Sequence, residues 1–512
     1  MSDPARPESE RLASLANASR ALDLAVALRP RGVVLEAGDG VARVAGLDRV
    51  AREELVQFDS GALGIAFDLH ASATGVLLLS GAHQVQAGEG VVGTGRMPDL
   101  PVGPATLGRV IDPLGNPVDG NGSLPERPRL GLFQPAPELI ERAAVATPLC
   151  TGVLAIDAAI PIGRGQRELI VGDRNVGKTA LAEDAIAAQT AGDVACVYVA
   201  IGQPMSRVLA LRESLRHAGA LANTAIVAAD ASMPPGMRYL APYAGASVAE
   251  WFRNQGGHAL VVYDDLTKHA DAYRELSLLL GRPPGREAFP GDVFFIHAGL
   301  LERAAARNAA AGGGSVTALP IVETTESDIA GYIPTNIISI TDGQLYLDTT
   351  RFARNERPAV DIGKSVSRIG AAAQPAAVRL AARNLRILYS RFEELESLSR
   401  VGLELEPGVK QEIERGRLLR ALMRQPRLAP RSIAEQVLAV SAVSEGWLDG
   451  ISPASAPRFV ESLVARARSE EPELSERLER GEAPEQGWLE AVGALAGTLR
   501  GAAQAASGEA RS

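Results

Sequence analysis

Eight residues constrain this chain more than any others: Gly172-Asp173-Arg174-Asn175-Val176-Gly177-Lys178-Thr179. They fit the pattern Gly-x4-Gly-Lys-Ser/Thr. They lie between an apolar run, Glu168–Val171, and a helical stretch, Ala180–Thr190. Strand, glycine loop and helix in that order are the context the pattern requires. Backbone N–H groups of such a loop and of the following helix converge on phosphate oxygens. Lys178 can reach β and γ phosphates, and the Thr179 hydroxyl can ligate magnesium. Lysine is otherwise almost absent, with Lys268, Lys364 and Lys410 the only others in 512 residues, so its use here stands out.

A magnesium site of this kind needs a carboxylate at the end of a neighbouring strand. The run Ala259–Tyr263 ends in Asp264 and Asp265. Asp264 is the better magnesium partner, and Asp265 reads as the cap of the next helix. The strand Cys196–Ala200 leads to Gln203, where many P-loop ATPases carry glutamate. A carboxylate can accept a proton and an amide cannot, although glutamine can orient water in some GTPases. Further on, Gly363–Gly370 holds Arg368 among small residues, a setting for either an arginine finger or a surface arginine.

The sequence divides by texture into four parts. Residues 1–30 read as a tail with an amphipathic helix, Leu12, Leu15, Ser19, Leu22 and Val26 forming one stripe. Residues 31–95 hold short Val/Leu-rich runs between turn residues. Val33–Ala37 and Val41–Val44 flank a Gly38-Asp39-Gly40 turn, and Gly75–Leu79 is another strand, as in a small β-barrel or sandwich. Residues 96–374 alternate strands and helices, with strands expected at Leu169–Val171, Cys196–Ala200, Ala225–Ala228, Ala259–Tyr263 and Val293–His297. That is the pattern of a mostly parallel sheet covered on both faces. Residues 375–512 are helical, with a stripe of Val378, Ala381, Leu385, Leu388, Phe392 and Leu395, an interruption near Ile451–Pro457 and a frayed last dozen residues.

Composition removes several function classes. Apolar residues make up 46% and charged residues 22%, which suits a folded protein. A net charge of −9 and 4% aromatics argue against nucleic-acid binding. The six histidines lack zinc-site spacing, and two cysteines, Cys150 and Cys196, make no disulfide framework. No apolar run reaches membrane-spanning length and no secretory leader is visible, so a cytoplasmic protein is expected.

The motifs, in their order, resemble the alpha subunit of the F-type ATP synthase. The likeness spans roughly Leu12 to Gly450. It rests on Pro161-Ile-Gly-Arg-Gly-Gln-Arg-Glu-Leu-Ile170, Tyr198-Val-Ala-Ile-Gly-Gln203, Tyr239-Leu-Ala-Pro-Tyr243 and Arg282-Pro-Pro-Gly-Arg-Glu-Ala-Phe-Pro-Gly-Asp-Val293. It continues through Leu300-Leu-Glu-Arg303, Thr317-Ala-Leu-Pro320, Tyr332-Ile-Pro-Thr-Asn336, Ile338-Ser-Ile-Thr-Asp-Gly-Gln344 and Ser365-Val-Ser-Arg368. Asp264-Asp-Leu-Thr-Lys-His269 and Asp361-Ile-Gly-Lys-Ser365 are more similar to the alternate (N-type) ATPase alpha subunit.

The resemblance implies a fold of an α/β P-loop nucleotide-binding domain with an N-terminal small β-barrel and a C-terminal all-helical domain. It implies a non-catalytic, regulatory subunit that binds ATP or ADP with magnesium. Three such subunits would alternate with three beta subunits around a gamma central stalk. The N-terminal helix would meet the peripheral stalk. A membrane sector carrying protons or sodium would drive ATP synthesis or be driven by hydrolysis, with this subunit peripheral on the cytoplasmic face of a bacterial plasma membrane. Carried over by position, Gly172, Asp173, Arg174, Asn175, Val176, Gly177, Lys178 and Thr179 bind the triphosphate. Thr179 and Asp264 hold magnesium, Gln203 replaces the beta subunit's glutamate, and Gln425 lies near adenine. Arg368, with Ser365 and Ser339, serves the catalytic site of the neighbouring beta subunit. Asn175-Val176, Pro204 and Gly299 depart from the family pattern and are expected to touch the nucleotide site. The rival readings are a self-sufficient hexameric ATPase of a secretion or flagellar export motor, and an RNA-translocating helicase.

Overall fold

The computed structural model describes residues 29–190, 192–399 and 406–509. The amphipathic N-terminal helix expected within residues 1–30 falls on residues outside these. The first described strands are β1 (Arg31–Gly38), β2 (Val41–Ala45), β3 (Leu55–Phe58), β4 (Leu63–Leu69), β5 (Thr74–Ser80) and β6 (Gly90–Gly93). They close into a barrel in the order β1-β2-β5-β4-β3-β6. Closure resolves the choice between barrel and sandwich: β1 pairs with β6 through Gly32 and Val91. The β1–β2 turn is Asp39-Gly40, both with positive φ (51° and 86°), the geometry a two-residue hairpin needs.

The central sheet is built from β7 (Val110–Ile111), β8 (Glu168–Gly172), β9 (Val194–Gln203), β10 (Thr224–Asp230), β11 (His258–Asp264), β12 (Ser315–Glu323), β13 (Gly343–Leu347) and β14 (Val366–Ser367). Their order among the described residues is β14-β13-β8-β12-β11-β9-β10-β7. All neighbours are parallel except β14, which runs antiparallel to β13. Both faces are buried, so the strands read as continuous apolar runs. The two-residue period nevertheless separates two cores. Cys196, Tyr198 and Ala200 face one, shared with the helix after the P-loop and with the C-terminal helices. Val197, Val199 and Ile201 face the other, shared with Phe67 and Leu77 of the barrel.

One expected strand is a helix. Val293–His297 begins a helix that runs Val293–Leu301. A short apolar run does not by itself distinguish strand from helix. Here Val293, His297, Leu300 and Leu301 are buried at helical spacing while Phe295 is 72% exposed. The strand missed in its place is β12. After Pro375 the stripe is divided between helices Ala376–Ala381 and Leu385–Ser399, yet its members pack on one core. The final helix continues to Glu509, through most of the segment expected to fray. No helix among the described residues is long and apolar enough to cross a membrane.

The barrel meets the sheet domain through an aromatic cluster. Phe67 stands edge-on to Tyr239, which stacks on His269 with ring centres 5.5 Å apart. His269 Nε2 lies 3.1 Å from the Tyr239 carbonyl, so it is the donor. Its Nδ1 must then accept from His297 Nε2, also 3.1 Å away. A proton added at that Nδ1 would oppose the N–H of His297. Burial pushes His269 down to about 4, and burial with the neighbouring imidazole pushes His297 well below its ordinary value. Near pH 5 to 6 the unfolded protein therefore binds protons that the folded protein refuses. Stability should be full above about pH 6.5 and fall as pH drops through that value. Thermal unfolding followed from pH 7 to pH 5 should show a declining midpoint. A His269→Gln/His297→Gln double variant should start lower but decline less steeply. An equal slope in both proteins would contradict a neutral buried pair.

Candidate nucleotide site

The carboxyl ends of β8, β9, β11 and β12 meet on one edge of the sheet, where ligands of open α/β folds bind. They present Gly172, Gln203, Asp264 and Glu323. The loop after β8 turns through Asn175 (φ 62°) and Gly177 (φ 99°) into helix α1 (Lys178–Ala187). Asn tolerates this left-handed conformation better than most side chains. Val176 tucks into the core at 3% exposure. The altered pair Asn175-Val176 thus fits the loop's shape.

Lys178 Nζ donates to the carbonyls of Gly172 (2.8 Å) and Asp173 (2.5 Å) and is curled over its own loop. Burial lowers its pKa, partly opposed by Glu323, Asp265, Asp264 and Asp173. Asp173 ties the loop to the segment after β12, accepting from the Thr324 hydroxyl at 2.6 Å and the Ser327 N–H at 2.8 Å. Burial would raise its pKa, but these hydrogen bonds and Lys178 bring it below its ordinary value.

Asp264 is the meeting point. Its Oδ2 accepts from the Thr179 hydroxyl at 2.9 Å and from the Tyr198 hydroxyl. Its Oδ1 accepts from the Gln203 amide at 3.3 Å. The Tyr198 pKa is well above its usual value because of burial and the adjacent carboxylate, so it remains a donor. A threonine hydroxyl and a carboxylate side by side are hard oxygen donors, and they fit magnesium. Bound there with phosphates, the ion would neutralise charge on them. Asp265 caps the next helix, α2 (Leu266–Leu279), by accepting from the Lys268 N–H at 2.8 Å, as its sequence position suggested.

These groups open on a cavity of about 1120 Å³. Arg174–Thr179, Gln203, Asp264 and Gln425 line it together. Gln425 comes from the helical domain, opposite the P-loop. Its Nε2 donates to the carbonyls of Gly152 (2.7 Å) and Ala429 (2.8 Å), so its amide hydrogens are already bound within the fold. Pro204 also lines the cavity. Gly299 does not, which corrects the expectation: it shares the outward face of its helix with Phe295, and nothing lies within 4 Å of where its Cβ would be.

Arg368, Ser365 and Ser339 stand outside the cavity. Arg368 is exposed just after β14, its N–H donating to the Asp342 carbonyl at 2.9 Å. Its guanidinium has no ion pair among the described residues. Ser365 is fully buried, donating to the Asp361 carbonyl at 2.6 Å and accepting from the Tyr346 N–H at 2.9 Å. It can shape the segment that carries Arg368 but cannot itself contact a neighbour. Ser339 is exposed and bonds back to the Thr335 carbonyl at 2.9 Å.

Three features of the site escaped the sequence reading. Tyr198 reaches Asp264 from mid-strand. Arg427 pairs with buried Glu183 across the cavity wall. Arg207 binds Gln203. A tyrosine inside an aliphatic strand was the available signal for the first, since a buried hydroxyl needs a partner.

Three family models match the protein: the beta-barrel domain of the ATP synthase alpha/beta family over residues 29–95, the nucleotide-binding domain of the same family over 152–367, and the C-terminal domain of the ATP synthase alpha/beta chain over 374–494. The sequence is 47% identical over 467 residues to ATP synthase subunit alpha 1 of Marinomonas sp. (strain MWYL1), covering 91% of this chain and 92% of that one. It is 48% identical over 468 residues to ATP synthase subunit alpha of Aquifex aeolicus (strain VF5), covering 91% and 93%.

Tyr198→Phe keeps the ring and removes the hydroxyl that steadies Asp264. Outer partners of metal ligands are commonly worth roughly tenfold to a hundredfold in metal affinity. Titration calorimetry should show nucleotide binding weakened by about that range with magnesium and little changed in EDTA. Equal loss in both conditions would count against the magnesium assignment.

Proposed function

The chain belongs to the ATP synthase alpha/beta family, and from that premise we propose that it is the non-catalytic, regulatory alpha subunit of a rotary F-type ATP synthase. Three copies alternate with three beta subunits around a gamma stalk, at the cytoplasmic face of a bacterial plasma membrane. The ring couples proton or sodium flow in a membrane sector to ATP synthesis or hydrolysis. The domains run 31–95, 96–374 and 375–512, and the tail before them meets the peripheral stalk. Residues 264–269 and 361–365 favour the N-type subgroup. The cavity binds ATP or ADP, with magnesium held through Thr179 and Asp264.

Gln203 carries this reading. The side chain at the tip of β9 is an amide, and its N–H already serves Asp264. It offers no carboxylate to accept a proton from water. The isolated subunit should therefore bind Mg-nucleotide and hydrolyse it negligibly. Sustained turnover by the pure protein, abolished by Lys178→Ala, would favour the self-sufficient motor ATPase instead.

Arg368 supports the second half of the reading, service to a neighbour. It is exposed and makes no ion pair among the described residues, while the backbone around it is tied down. A guanidinium fork stabilises charge that develops on a transferring phosphoryl group. Arginine fingers contribute roughly a thousandfold to a hundred-thousandfold in rate. Arg368→Ala in an assembled ring should lower multisite ATPase by a large part of that factor, with beta-site nucleotide affinity little changed. Arg368→Lys should rescue poorly. Near-normal turnover in an intact ring would remove the finger assignment.

A further inference from the structure

Six cations line the cavity: Arg174, Lys178, Arg207, Lys268, Arg357 and Arg427. Arg427 pairs with Glu183, and Arg357 lies over the Phe352 ring, 4.8 Å from its centre. Arg174 is paired with Glu323 at 2.9 Å, and Lys268 Nζ lies 3.5 Å from Asp265. Lys178 is the P-loop lysine. Arg207 is the remaining one, and it has no ion pair among the described residues.

Its position is set by a relay of polar contacts. Arg207 is the third residue of the helix Met205–His217, which starts directly after Gln203-Pro204. Its Nη1 donates to Gln203 Oε1 at 3.1 Å, and the Gln203 amide donates to Asp264 Oδ1 at 3.3 Å. The guanidinium is thereby linked through Gln203 to the same carboxylate that accepts from the Thr179 hydroxyl. The remaining guanidinium N–H groups make no hydrogen bond among the described residues. The neutrality of Gln203 matters here. A glutamate would orient Arg207 equally well but would cancel its charge. The amide supplies an acceptor and leaves the positive charge free to act on the cavity. The N-terminal end of the helix, with no side-chain cap, adds partial positive charge to the same place.

We propose that Arg207 reads the γ-phosphate in this subunit's own cavity and makes the site select nucleoside triphosphate over diphosphate. The inference rests on the reading that the cavity binds Mg-nucleotide. The P-loop is sufficient for the phosphates common to both ligands. The γ-phosphate adds charge and oxygen acceptors, and an unpaired planar fork is suited to receive them. Gln203 thereby acquires a positive role: it withholds hydrolysis and leaves the triphosphate-reading arginine without a neutralising partner.

The test is calorimetry on the full-length protein with Mg-ADP and with Mg-AMPPNP, a triphosphate analogue that resists hydrolysis. Wild type should bind the analogue more tightly. Arg207→Ala should weaken the analogue by roughly tenfold to a hundredfold, the range for a charge-assisted hydrogen bond, and leave Mg-ADP nearly unchanged. Retained Mg-ADP binding also establishes that the variant is folded. Arg207→Lys should recover part of the loss. Equal weakening of both ligands by Arg207→Ala, or no weakening, overturns the proposal. Wild type binding neither ligand, with the same heat as Lys178→Ala, overturns the nucleotide-binding reading beneath it.

Discussion

One buried carboxylate organises this site. Asp264 is 5% exposed, and a charge so placed persists only if hydrogen bonds replace its lost water. Three side chains do so: Thr179 from the P-loop helix, Tyr198 from within β9 and Gln203 from its tip. These contacts tie Thr179 of the P-loop helix and Tyr198 and Gln203 of β9 to the end of β11. Asp264 also bears on which residue belongs at 203. An amide donates to Asp264, whereas an ionised glutamate would place a second negative charge beside the first and be disfavoured. The amide is thus what the local electrostatics prefer.

The segment bearing Arg368 is held with comparable economy of parts. The Asp361 carboxylate accepts from the N–H groups of Gly363 and Lys364, at 3.0 and 3.1 Å. Ser367 donates to the Pro161 carbonyl at 2.8 Å and accepts from Gln166 at 3.1 Å. Arg386, from the helical domain, donates to the carbonyls of Ile362 (3.2 Å) and Ser365 (3.0 Å). Asp342, whose carbonyl receives the Arg368 N–H, is itself gripped by Arg167 through two nitrogens at 2.8 and 3.0 Å. The anchors lie in backbone and in neighbouring side chains, while Arg368 itself is exposed and its charge acts on buried Glu168.

The fold was largely legible in the sequence because its signals are local. The P-loop, the Asp-Gly hairpin turn and the apolar runs of β8 to β11 each declare themselves within a few residues. The exception, Val293–His297, is a short apolar run whose burial pattern depends on distant neighbours, and β12 was passed over for it. That Gly172, Gln203 and Asp264 come together was legible along the strand ends, since all three fall at carboxyl termini of parallel strands. What stayed hidden were contacts between remote positions: Tyr198 with Asp264, Arg427 with Glu183, and the exposed turn of helix that puts Gly299 away from the cavity. Linear spacing holds no record of these. The resemblance named Ser365 but could not say that its hydroxyl is fully engaged within the fold.

The cavity has walls from two domains, and this links its occupancy to the molecule's architecture. The phosphate end belongs to the sheet. The far end includes Gln425 and Arg427 from the helical domain, joined to the sheet domain by specific bonds: Gln425 to the Gly152 carbonyl, the Leu428 N–H to Asp184 at 2.6 Å, and Arg427 Nε to Glu183 at 2.9 Å. The pairing leaves Glu183 with a raised pKa, because burial outweighs the help of Arg427. A nucleotide spanning the cavity touches both walls, so binding favours the arrangement that holds them together. Arg386 of the same helical domain grips the segment that carries Arg368. The helical domain thus contacts both the cavity, through Gln425 and Arg427, and the segment that carries Arg368, through Arg386. Coupling between them requires only that the domain junction have more than one arrangement, each with its own nucleotide affinity.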